Sequence, residues 1–395
     1  MKQHINMKWI AFFLLTGITS CQQAREGALL EQVRLAEETR IDGLVKQYMG
    51  FPPITVTAAY SERSTGGRHD FFSEGDYWWP DPENPDGPYI RRDGLSNPDN
   101  FVAHRHAMVR MSRIVGAMTS KWILTGDGQY AAEAMKHLRA WFVDDSTKMN
   151  PHMLYSQAIM GRSTGRGIGI IDGLHLVEAA RSAQIIADAP GINSTDIQTI
   201  KEWFRDLLTW ISTHEYGLAE MVHPQHHGTT WAVQASAYAL LVGDDEMIAF
   251  CKERFKEHLL PSQMAPDGSF PLAISRNIPY GYSLFIMDAM CFLAQILTLA
   301  GDEDLWSFTL DDGRGLKKGL KFLYPYIKDK SLWPFERDVL YWDDWPVRQP
   351  ALVLGGIAYS KQDYIDLWKE LEADPEVDEV QRNLVMRYPL LWLEN

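Results

Sequence analysis

Apolar residues recur at three- and four-residue spacing through residues 29–49, 106–125, 129–142, 170–187, 195–213, 229–241, 245–258, 282–299 and 316–327. That period belongs to helices with one or more buried faces, and the alternating pattern of half-buried strands is scarce. Between the helical runs stands a recurring punctuation: Leu124-Thr125-Gly126-Asp127, Leu241-Val242-Gly243-Asp244 and Leu299-Ala300-Gly301-Asp302. Gly supplies a left-handed residue that ends one helix, and Asp accepts from the free amides that open the next. The pattern predicts an all-α protein of stacked helical hairpins. A solenoid or an α/α toroid fits it; an α/α toroid, closed or incomplete, of six to seven hairpins is expected, with no second domain.

Two segments interrupt the period. Residues 57–100 are rich in Gly, Pro, Asp and aromatics, among them Tyr77-Trp78-Trp79-Pro80. A connection this long in a compact domain is usually functional or disordered, and its aromatic content predicts order. Residues 149–169 contain Gly161-Arg162-Ser163-Thr164-Gly165-Arg166-Gly167, which superficially suggests a phosphate loop. It lacks the Gly-Lys-Ser/Thr ending and the preceding strand, so nucleotide binding is rejected.

The N-terminus belongs to a different category. Lys2 and Lys8 precede a short apolar run at residues 9–15, and Ile18-Thr19-Ser20-Cys21 follows. This is the layout of a secretory signal, too short for a permanent span. The Cys after small residues resembles a bacterial lipobox. Residues 1–20 are therefore expected to be removed and Cys21 lipidated, leaving residues 21–395 as one domain held to a membrane by its lipid alone, on the periplasmic or cell-surface side. Loss of two lysines and no acids moves the formal charge from −14 to −16. A basic nucleic-acid binder is unlike this composition, although arginines gathered in one cleft still attract a polyanion. Cys251 and Cys291 lack any CxxC spacing and read as buried free thiols.

Chemistry concentrates in Gln225-His226-His227-Gly228 and Arg276-Asn277-Ile278-Pro279-Tyr280-Gly281-Tyr282, each at a predicted helix start. No nucleophilic Ser or Cys and no carboxylate pair stands beside them. A His, a Tyr and an Arg next to neutral donors suit removal of a proton from carbon beside a carboxylate, followed by expulsion of a leaving group. His227 is the first catalytic candidate; a metal or structural role competes, but adjacent histidines lack the i,i+4 spacing of helical ligands. Tyr282 is a poor base at its ordinary pKa of ~10 unless cations such as Arg276 or His227 support the phenolate. Tyr280 is its local competitor. Gln225 and His226 are candidates to neutralise a substrate carboxylate. Arg162 and Arg166 could bind neighbouring carboxylates, with Arg105 and Arg348 as weaker cases. Tyr77, Trp78 and Trp79 offer aromatic platforms for sugar rings, against the commoner role of core packing.

In these blocks the chain resembles the alginate lyase superfamily of polysaccharide lyases. Residues 225–231 are similar to that family's Asn-Asn-His-Gly-Thr-Trp block, and residues 276–283 to its Arg-and-Tyr block. The segments 77–100, 155–172 and 341–350 also resemble family signatures. The resemblance implies β-elimination on a 1,4-linked polyuronate, without metal or cofactor, with His227 and Tyr282 catalytic and Arg276 stabilising them. The family's carboxylate-neutralising Asn falls on His226 and its neighbour on Gln225, a departure that bears on uronate preference. Mannuronate-rich alginate is expected first and glucuronan close behind. The competing expectations are a glycoside hydrolase on the same fold, which would need two carboxylates across the bond, and a non-catalytic glycan-binding lipoprotein.

Overall fold

In the computed structural model, residues 7–301 and 303–393 are described, with side chains from residue 24 onward; Cys21 thus has a described backbone only. The chain opens with α1 (Met7–Tyr48), whose Leu29, Val33, Ile41, Leu44, Val45 and Tyr48 form one buried stripe. Next come α2 (Ala103–Thr125), α3 (Gly128–Phe142), α4 (Leu176–Ile185), α5 (Ser194–Thr213), α6 (Glu215–Met221), α7 (His226–Val242) and α8 (Asp245–Arg254). The short α9 (Leu260–Gln263) and α10 (Pro271–Ile274) lead to α11 (Pro279–Leu299), α12 (Leu316–Lys328), α13 (Pro350–Ala358), α14 (Gln362–Glu370), α15 (Asp378–Arg382) and α16 (Leu390–Leu393).

Helices α2, α4, α7, α11 and α13 pack successively against one another, while α3, α5, α8, α12 and α14 cover them from outside. Helix α1 packs on both α2 and α13 and joins the last hairpin to the first. The α/α toroid expected from the sequence is the fold, and its sixth member is a single helix. Inner helices meet protein on every side, which explains why α7 and α11 are buried on nearly every face and why α11 is apolar almost throughout. By length and composition α11 could cross a membrane, yet 83% of its most apolar window is buried inside the protein.

The hairpin punctuation works where a helix follows at once. Gly126 (φ +67°) and Gly243 (φ +76°) cap α2 and α7, and Asp127 and Asp244 accept from the amides of Gln129 and Met247. The third instance differs: Ala300 caps α11, and the next helix begins only at Leu316. The run 170–187 begins as a 3-10 helix (Gly167–His175) before α4, and 245–258 passes into a π-helical turn (Phe255–Leu259).

The long connection 57–100 is ordered, as its aromatics predicted. Strand β1 (Phe72–Glu74) pairs in parallel with β4 (Tyr155–Ala158), and β2 (Trp78–Trp79) pairs antiparallel with β3 (Ile90–Arg91). These strands bring both interrupting segments to one mouth of the ring.

Candidate active site

Five stretches meet around a cleft of about 700 Å³, a size ordinary for small-ligand sites: the start of α7, the start of α11, the β2–β3 hairpin, the segment from Gln157 to Ile171, and Arg382-Asn383 near the C-terminus. Gln225 is the N-cap residue of α7, so His226 and His227 occupy its first turn. A Cβ at Gly228 would come within 2.5 Å of the His223 carbonyl oxygen; glycine is needed there for close approach of the preceding loop, not for a special φ. At α11, Pro279 starts the helix and the buried Asp338 accepts from the amides of Tyr280 (2.7 Å) and Gly281 (2.9 Å). An acid at a helix N-terminus satisfies free donors and complements the dipole. This fixes the turn that carries Tyr282.

The Tyr282 hydroxyl lies 3.0 Å from that of Tyr77 and accepts from Arg276 Nη2 at 3.2 Å. Arg276 is itself clamped by Asp93, through Nε (3.1 Å) and Nη2 (2.8 Å), and donates from Nη1 to the Gln225 amide oxygen at 3.0 Å. Its guanidinium carbon stands 4.6 Å from the Tyr282 ring centroid. Burial pushes the Tyr282 phenol above its ordinary pKa, and the opposing pull of Arg276 does not cancel this. The free site therefore holds a protonated tyrosine whose ionised form has a cation ready beside it.

His226 stacks on Tyr282 (5.0 Å between centroids, 17° between planes) and on His227 (4.5 Å, 29°). The His226 ring therefore separates the other two, and of the two cations expected to support a phenolate, Arg276 is the one that reaches the hydroxyl. Burial, then the neighbouring His227 and Arg276, hold His226 well below the usual histidine range. It is a neutral donor, matching the chemistry of an amide. His227 Nδ1 meets Glu220 Oε1 at 2.8 Å, which assigns the Nδ1 proton to that bond and leaves Nε2 for other partners. The Glu220 carboxyl is fully buried and pushed above its ordinary pKa by burial, against the lowering effect of His227.

Arg166 lines the cleft and donates to the Gln157 backbone oxygen (3.0 Å) and amide oxygen (2.9 Å). No carboxylate pairs with it among the described residues, and burial lowers it to about 10. Gln157 sits at φ +50°, a sparsely populated region costing on the order of 1–3 kcal/mol. Ser73 Oγ holds its amide and Asp172 its side chain.

Tyr77, Trp78, Gln225, His226, His227, Arg276 and Tyr282 all line the cleft with Arg166. Other candidates do not. Tyr280 is fully buried, donates to the Tyr326 carbonyl and packs on Trp333 and Trp342. Arg105 lies behind the cleft wall, paired with Asp76 at 2.8 Å. Arg348 is remote, bound to Glu37 at 3.0 Å and stacked over Trp368. Arg162 is exposed, donates to the Tyr89 carbonyl and covers the Trp78 ring. Trp79 is turned to the Leu95 carbonyl, with Arg92 over its face. Sequence reasoning missed Glu220, Asp93, Gln157, Arg382 and Asn383, single polar residues without a motif around them. The two acids lining the cleft, Asp76 and Asp93, resist protonation: burial pushes each up, but arginine pairs hold both below the ordinary range. Neither suits the protonated acid of a hydrolase. Among the described residues no three His, Cys, Asp or Glu side chains gather as a metal site.

The sequence model of the family described as Alginate lyase matches residues 55–333. No protein of curated function matches the sequence. An alginate lyase from Bacteroides ovatus is 30% identical, with 93% of this chain and 97% of that one covered and a TM-score of 0.79. Alginate lyase A1-III from Sphingomonas species A1 is 12% identical over 90% of this chain and 95% of that one, with a TM-score of 0.55. A variant of A1-III solved with a tetrasaccharide gives 13% identity, 88% and 89% coverage and a TM-score of 0.59. At those identities the A1-III structures speak for the fold.

Proposed function

Since this chain belongs to the alginate lyase family of polysaccharide lyases, we propose that it cleaves 1,4-linked polyuronates by β-elimination, with mannuronate-rich alginate first and glucuronan second. The observation that carries this reading is the Tyr282 hydroxyl inside the cleft, within 3.2 Å of Arg276 and stacked on a neutral His226.

The C5 proton of a uronate becomes removable when its carboxylate is met by donors that stabilise the developing aci-carboxylate. His226 provides a neutral N–H. Gln225 gives its amide oxygen to Arg276 and so keeps its amide nitrogen as a second donor. Arg166 is the cation for a neighbouring carboxylate. In mannuronate and glucuronate, H5 and O4 share a face. The Tyr282 oxygen, as phenolate supported by Arg276, takes the C5 proton. The C5 electrons form the C4=C5 double bond as the C4–O4 bond breaks, and the same proton passes from Tyr282 to O4. A 4,5-unsaturated uronate and a new hydroxyl end result, with no net proton change. The raised pKa of Tyr282 favours a second reading for guluronate, where H5 and O4 lie on opposite faces: His227 Nε2 is the base, Glu220 supports its charge, and Tyr282 is the acid.

The test is ultraviolet absorbance of unsaturated product over alginate blocks, glucuronan and glycosaminoglycans. Tyr282→Phe should lose roughly 10²–10⁴-fold in kcat, the value of general acid–base catalysis. A variant keeping more than about a tenth of wild-type kcat, well short of that range, would overturn the assignment. We also propose that the mature protein is a lipoprotein anchored at Cys21, supported by Lys2, Lys8, the apolar run 9–15 and Ile18-Thr19-Ser20 before the Cys.

A further inference from the structure

The cleft wall contains residues from beyond the family match. Arg382 and Asn383 line it, and they stand on or next to α15, well after residue 333. The same short helix carries Glu379, a buried acid. Glu379 Oε1 accepts from the Tyr77 hydroxyl (3.2 Å) and from Asn383 Nδ2 (3.1 Å); Oε2 accepts from Arg382 Nε (2.6 Å). Arg382 also donates to Asp76, which Arg105 holds from the other side. The Tyr77 hydroxyl in turn lies 3.0 Å from Tyr282. A continuous chain runs from Tyr282 through Tyr77 to a carboxylate clamped by an arginine.

From this geometry we infer that Glu379 is a positioning residue for proton transfer at Tyr282, acting through Tyr77. The inference rests on the role of Tyr282 given above. Tyr77 has one hydroxyl proton and two acceptors. While Tyr282 is protonated, Tyr77 donates to Glu379 and receives the Tyr282 proton as a hydrogen bond. When Tyr282 is a phenolate, the Tyr77 proton turns to it, and Glu379 keeps Arg382 and Asn383 as partners. No proton leaves the chain; one hydrogen bond changes direction. The carboxylate therefore favours the protonated Tyr282 and the Tyr77 hydroxyl favours the ionised one, which places the phenol between two opposed influences. Other groups around the pair are Arg276 and His226 on the cleft side, Arg382 and Asp76 behind Tyr77, and Asp338 and Tyr341 in the loop beside Glu379. Burial drives both phenols upward, so neither ionises without such help.

The test is the pH profile of kcat/KM for the full-length protein, on whichever polyuronate gives the fastest rise in ultraviolet absorbance. Glu379→Gln is isosteric and removes the charge; the limb reporting Tyr282 should move to lower pH by on the order of one unit. Tyr77→Phe removes the donor and should move the same limb to higher pH. Opposite shifts support the relay, because a merely structural loss would lower the whole profile without moving it. Unshifted limbs in both variants, with Tyr282→Phe inactive, overturn the relay and leave the role of Tyr282 standing. An active Tyr282→Phe overturns both. Should Glu379→Gln fail to fold, the upward shift in Tyr77→Phe decides: its presence supports the relay, its absence refutes it.

Discussion

Glu220→Gln tests what His227 does. The wild-type bond joins Nδ1 to a fully buried carboxylate at 2.8 Å, and the second carboxylate oxygen has no hydrogen-bond partner among the described residues. An amide keeps an acceptor for the Nδ1 proton and removes the charge. A charge-assisted hydrogen bond is worth about 1.5–3 kcal/mol against roughly 0.5–1.5 for a neutral one. If His227 gains positive charge during turnover, the loss is therefore about 1–2 kcal/mol, some 5–30-fold in kcat. Stability should behave oppositely. The Glu220 carboxyl is raised above its ordinary 4.5 by burial, against the lowering pull of His227. Its stabilising contribution is therefore complete below that value and is lost as pH rises through the raised pKa. Gln, always neutral, escapes that loss, so the variant's Tm should equal or exceed the wild type's, with the difference growing as pH rises. Initial rates from product absorbance and thermal melts between pH 5 and 8 measure both quantities. A kcat within twofold of wild type would refute a charged His227 in the rate-limiting step. A fall in Tm matching the fall in kcat would make Glu220 structural.

Tyr280→Phe deletes the hydroxyl bonded to Tyr326 and should cost about 0.5–1.5 kcal/mol of stability while kcat stays at the wild-type level; a tenfold loss of kcat would reopen the choice between Tyr280 and Tyr282. His226→Asn keeps a neutral donor and removes the ring stacked on Tyr282, so turnover should survive and the preference among alginate blocks and glucuronan should change, as measured by relative kcat/KM. Inactivity on every polymer would mean that the ring stack, not the donor, is required. Cys21→Ala should move the protein from the membrane fraction to the soluble fraction on cell fractionation; unchanged membrane association would refute the anchor.

The helices were legible because their apolar spacing is local, and Gly126-Asp127 and Gly243-Asp244 marked their ends correctly. At Gly301 the same letters end differently: Ala300 caps α11 and the next helix begins only at Leu316, while Asp302 lies outside the described residues. Helix α13 left no amphipathic signature: it is a nine-residue apolar segment that opens on Pro350 and is buried from there to Gly356. In the site, the histidines and Tyr282 stand in compact motifs and could be read. Tyr280 and Tyr282 could not be separated by sequence, yet at about 100° per residue they point some 200° apart on α11, one into the core and one into the cleft. Arg105 and Arg348 looked like anion binders, but Asp76 and Glu37 occupy them. Those partners lie 29 and 311 residues away. Glu220 and Glu379 stand in no motif, and only the folded ring turns their side chains inward.

The bond between Tyr77 and Glu379 spans 302 residues, and that between Tyr77 and Tyr282 spans 205. Contacts of such separation form late, because loop-closure entropy is met before they reward it. The cleft thus has no partial form: a chain still emerging from a ribosome lacks the residues that finish it. Activity is consequently a readout of circular completion. During refolding it should return after helical ellipticity has already recovered, and a chain ending before α15 should keep most of its helix while lacking turnover.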